Sequence, residues 1–86
     1  MSFPQAEINK KEKEFLELVQ GNKIVRDYTT QFESLSCFAY HVVDTPAKKK
    51  RKYHQGLNFS LWELTMSSLS QLFEDLVGLT IELEGL

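Results

Sequence analysis

Two histidines, one cysteine and a run of five bases are the residues of this 86-residue chain whose chemistry could reach beyond packing. His41 and His54 lie far apart in sequence. No His-x-x-x-His pair, Gly-rich phosphate loop or Ser-His-Asp spacing accompanies them. Each reads as a surface or partly packed histidine rather than a ligand. Cys37 stands alone, which excludes an internal disulfide and a cysteine-rich zinc site. A reducing compartment is the default that follows. Cys37 precedes Phe38 at the end of an apolar helical pattern, so its expected role is packing. These residue types assemble no catalytic centre and no metal or cofactor site. The chain is expected not to be an enzyme.

The bases are the stronger signal. Lys48, Lys49, Lys50, Arg51 and Lys52 form one run inside a chain of net charge -2. Residues 53–86 hold Glu63, Glu74, Asp75, Glu82 and Glu84 and no Lys or Arg. The chain is therefore polarised, with a basic middle and an acidic final third. Such a run has four readings. It is a solvated face whose lysine stems cover the core, or a contact for the acidic third of a neighbour. It binds a polyanion such as RNA or an inositol polyphosphate, or it is the import signal of a small nuclear, nucleic-acid-binding adaptor. The sequence pI near 5.6 and the lack of aromatics interleaved with the bases weigh against the adaptor.

What positions these residues is expected to be all α: one domain over residues 1–86, a compact bundle of about five short helices. Hydrophobic content of 42% and charged content of 26% are ordinary for a globular chain. No apolar run approaches the roughly 18 residues of a membrane span, and no contact with a membrane is expected. The start, MSFPQAEINKKEKE, has no apolar centre and does not read as a secretory signal.

A first helix is expected from Pro4 to about Val19, with Ile8, Phe15, Leu18 and Val19 on one face and Gly21 as its stop. A second begins near Ile24 and carries the stripe Val25, Tyr28, Phe32 and Leu35. The stretch Phe38–Asp44 reads as a loop or crossover. Thr45-Pro46 is an N-cap followed by the first helical position best suited to proline. That third helix runs to Gln55, and Gly56 ends it. A short fourth spans Phe59 to about Met66, with Leu61, Trp62 and Leu64 as its apolar content. Ser67, Ser68 and Ser70 offer N-caps for a last helix striped by Leu69, Phe73, Leu76, Thr80 and Leu83. Leu72, Leu79 and Leu86 lie seven apart on a second side of it. That excess apolar surface, together with Tyr53, is a candidate for self-association.

The stretch from Gln20-Gly21 through Val25, Tyr28, Phe32 and Leu35 is the most informative. Gly21 can adopt a backbone conformation that other residues avoid, and Gln20 carries both donors and acceptors to tie a turn down. It closely resembles the major homology region of retroviral and retrotransposon capsids: Gln-Gly, a short gap, an aromatic, then Phe and Leu at helical spacing. Glu14–Gly21, Tyr53-His54-Gln55-Gly56-Leu57, Phe73–Glu84 and Phe3-Pro4 are similar to further parts of the Gag domain of gypsy-class LTR retrotransposons. The resemblance covers nearly the whole chain.

It implies the fold of a retroviral capsid C-terminal domain and a structural role: self-association into the shell that encloses element RNA. It implies as partners other copies of itself and an N-terminal capsid lobe, which this chain lacks along with a zinc knuckle. The particle would be cytoplasmic, although the basic run also suits the nucleus. In related capsids the helix after the homology region makes a two-fold contact; here that would be Pro46–Gln55. The acid–base pair of the retroviral motif would fall near Ile24 and Gln31 and is missing, which leaves Gln20 with backbone groups to hold the turn. A domesticated Gag-derived interaction module is the alternative.

Overall fold

A computed structural model describes residues 4–86; Phe3, half of the Phe3-Pro4 lead-in, lies outside them. Five α-helices follow in order: α1 (Gln5–Leu16), α2 (Val25–Ser36), α3 (Pro46–Gln55), α4 (Phe59–Leu64) and α5 (Phe73–Glu84). Two 3-10 turns, Tyr40–Val42 and Met66–Ser70, complete the connections. There is no strand among the described residues, and no helix long and apolar enough to cross a membrane. The bundle is a flattened 42 × 27 × 19 Å body.

α2 is its axis. Val25, Tyr28 and Phe32 fall on one helical face and are buried, with Leu35 half-buried behind them. Phe32 gathers rings from three other helices: Phe15 of α1 at 5.1 Å, Tyr53 of α3 at 5.3 Å edge-on and Phe73 of α5 at 5.9 Å. The tilted Phe15 pair and the edge-to-face Tyr53 pair suit the ring quadrupoles and add to the gain from burial. α3 starts as its sequence requires, with the Thr45 hydroxyl accepting from Lys48 N at 3.2 Å and Pro46 next.

Two local expectations fail for identifiable reasons. α1 stops at Leu16, and Val19 is 55% exposed. The chain must leave the helix early to bring Gln20 N to the Gly56 carbonyl, 2.7 Å away. The serines do not cap α5: Ser67, Ser68 and Ser70 lie in the second 3-10 turn, and extended Gln71 separates them from the helix. Glu74 and Asp75 in the first turn of α5 complement its dipole instead. In α4 only Leu61 is buried, whereas Leu64 is 58% exposed.

Tyr28 and Tyr53 give the core a measurable pH dependence. Tyr28 donates its hydroxyl to the Tyr53 carbonyl at 2.8 Å. Thr29 commits its own proton to the Val25 carbonyl, so the Tyr53 hydroxyl, 2.6 Å from Thr29 Oγ1, is the donor there. Burial pushes both phenols above the ordinary tyrosine range. The folded chain thus keeps protons that the unfolded chain releases above about pH 10. Stability is fully present below that pH and falls as pH rises through it, by about 1.4 kcal/mol per pH unit for each proton retained. Urea unfolding at pH 9 and pH 11 checks this. Equal midpoints at the two values would mean that the folded core admits an ionised tyrosine.

Candidate functional site

The Gln20-Gly21 turn is a stitched joint between the start of α2 and the end of α3. Gln20 is almost fully buried although no helix holds it. Its Nε2 donates to the Lys23 carbonyl at 3.0 Å, and its Oε1 accepts from Asn58 N at 3.0 Å. Its backbone N–H donates to the Gly56 carbonyl. Asn58 Nδ2 returns a bond to the Gly21 carbonyl at 3.0 Å. Gly21 has φ +56°, the left-handed region that glycine enters without strain. One amide therefore satisfies an acceptor on one side of the joint and a donor on the other.

Two contributors gave no sign in the sequence. Asn58 closes the joint from the far side. Glu84, at the end of α5, accepts from Val25 N at 2.8 Å and so caps α2, whose own N-cap Ile24 has no side-chain acceptor. An anion at a helix N-terminus is favourable on both hydrogen-bond and dipole grounds. Only the position of Glu84 in a helix ending near residue 25 reveals this role.

The basic run is largely tied to the fold. Lys48 pairs with Asp44 at 3.0 Å, and Lys49 with Glu33 at 3.4 Å while its ammonium sits 4.2 Å from the centre of the Phe73 ring. Both pairs are solvent-exposed and are worth about 0–1 kcal/mol each. Lys50 donates to the Gln71 carbonyl at 2.6 Å, and Lys52 to the Leu16 carbonyl at 2.9 Å. Lys52 thus closes the C-terminus of α1, and partial burial there pulls its ammonium below the usual lysine range. Arg51 is exposed and makes no hydrogen bond or ion pair among the described residues. Lys48, Arg51, Lys52 and Gln55 line one shallow groove with Val42.

Tyr53 cannot serve self-association: it is wholly inaccessible, packed between Tyr28, Phe32 and Phe73. The three leucines do not form one helical stripe either. Leu72 is the N-cap of α5 and Leu86 lies beyond its C-cap, so only Leu79, half-buried, is helical. Leu72 and Leu86 remain open at opposite ends, 68% and 97% exposed. His54 is more enclosed than expected, stacking on Trp62 and donating Nε2–H to the Trp62 carbonyl at 2.7 Å. Cys37 is exposed rather than packed. Among the described residues no three His, Cys, Asp or Glu side chains converge into a metal cage. The chain matches no protein-family model, no curated protein and no solved structure.

Proposed function

We propose that this chain is a structural capsid domain of the gypsy-class Gag type, which self-associates to build a particle shell around element RNA. The observation that carries the reading is the Gln20-Gly21 joint. A buried glutamine, a left-handed glycine and an aromatic-striped helix occur in the order of the homology region, and the glutamine bonds across to the Gly56-Leu57 helix end. In this reading the domain takes no cofactor and catalyses no reaction. Its partners are further copies of itself and an N-terminal capsid lobe, in a cytoplasmic particle. Shells need weak contacts, because misplaced subunits must be able to leave. An 86-residue domain with exposed apolar side chains at Leu64, Leu72 and Leu86 and charged faces of both signs suits such contacts.

Sedimentation velocity over a wide concentration range, at low and high salt, is the test. Reversible species that grow with concentration are expected. A strict monomer that binds a short RNA tightly would instead make the chain a nucleic-acid adaptor. If inositol hexakisphosphate drives the association, the basic groove of α3 is where the anion sits.

A further inference from the structure

Resting on that self-associating reading, the geometry points to a head-to-tail contact in which the basic outer face of α3 docks on the acidic outer face of α5 of a second copy. On α3, Lys49 and Tyr53 face Phe73 of α5. Arg51 lies two positions from each, roughly 200° round the helix, and so faces away from α5. It shares its groove with Lys48 and Lys52. On α5, Leu76 and Thr80 are buried against the core. Asp75, Leu79 and Glu82 follow at helical spacing on the other side, where both acids are exposed. Neither acid pairs with a base among the described residues. The two faces point in different directions, so one molecule cannot pair its own Arg51 with Asp75 or Glu82. A second copy can.

Charge also decides between symmetries. A two-fold contact sets the same patch against itself. For α3 that would oppose Arg51 and Lys52 to their own copies, and like charges at such range repel. Docking α3 on α5 replaces each of these clashes with an attraction and lays the basic stems over Leu72 and Leu79. Such a contact uses two different patches, so a pair still has one α3 face and one α5 face free, and the assembly propagates unless it closes into a ring. It should also dissolve in salt, since both faces are exposed.

The test is a charge swap on the full chain, read by sedimentation velocity at low salt up to millimolar protein. R51E and E82K are each expected to weaken self-association at least tenfold. Their equimolar mixture is expected to regain growth, because the basic α3 of E82K fits the acidic α5 of R51E, and the two substituted positions then meet with opposite charges. Growth of the mixture also shows that both variants are folded. The double variant R51E/E82K, with the charges exchanged, is expected to regain growth. Wild-type-like association by R51E overturns the α3–α5 contact and leaves the capsid reading standing. So does an equimolar mixture that stays monomeric, or an R51E that loses only RNA binding. A wild-type chain that stays monomeric throughout overturns both.

Discussion

Replacing Gln20 with Ala is expected to cost the domain about 1–3 kcal/mol, because two part-buried backbone groups lose their partner at once. The Asn58 N–H and the Lys23 carbonyl both depend on this one amide, which is 3% exposed. An unsatisfied buried group costs roughly 1–3 kcal/mol, more than a hydrogen bond normally contributes, since water is not there to replace the partner. A chain of 86 residues has roughly 0.05–0.15 kcal/mol of stability per residue, so the loss is a large share of the whole. Q20E sharpens the case. It keeps the acceptor for Asn58 but turns an oxygen toward the Lys23 carbonyl, so it should not rescue stability. Urea denaturation reads both variants, with a lowered midpoint and an unchanged slope expected. A loss below about 1 kcal/mol would mean that water enters the joint and takes over the bonds, and the amide would then not be what holds it.

The elements legible in the sequence are those whose cause is local. Thr45-Pro46 starts α3 because an N-cap and a first-turn proline act within a few residues. The Val25, Tyr28, Phe32 stripe is likewise a property of one helix. The joint was legible in part: the need for Gly21 and the bonding capacity of Gln20 are intrinsic to those residues, but the identity of Asn58 as partner is not. What stayed hidden was set by distant contacts. Lys52 reaches back to the C-terminus of α1, Lys50 forward to Gln71, and Glu84 back to the first turn of α2. Tyr53 follows five bases and so reads as surface, yet helical periodicity turns it inward while its neighbours turn out. A run of like charge in a short helix therefore says little about which of its charges are free. In this chain that is Arg51, and the distinction needed coordinates.

Two glycine-to-alanine replacements should move stability in opposite directions, and the contrast isolates packing from backbone propensity. Gly78 sits inside α5, where a methyl group would meet nothing within 4 Å. Alanine there should stabilise the domain by about 0.5–1 kcal/mol, since glycine in a helix interior is entropically costly. Gly56 has an ordinary backbone, with φ −85°, so its need for glycine is not conformational. A Cβ there would collide with the Tyr28 hydroxyl and stand 2.9 Å from its ring carbon Cζ and 3.2 Å from the Leu18 carbonyl. Tyr28 cannot swing aside cheaply: its ring is packed against Tyr53 at 5.1 Å and its hydroxyl is bonded to the Tyr53 carbonyl. Relief therefore breaks that buried bond or opens the Gln20 joint, whose backbone bond ends on Gly56 itself. Overpacking of this kind costs about 1–3 kcal/mol, and a stranded tyrosine hydroxyl adds a comparable amount. G56A/Y28F tests the mechanism. Removing the hydroxyl takes away the closest clash and leaves the ring only a small shift to make, so the double variant should be more stable than G56A alone. A double variant as unstable as the sum of the two single ones would place the clash elsewhere, on the Leu18 carbonyl, and make Gly56 a constraint on the path of the chain after α1 rather than on the core of α2.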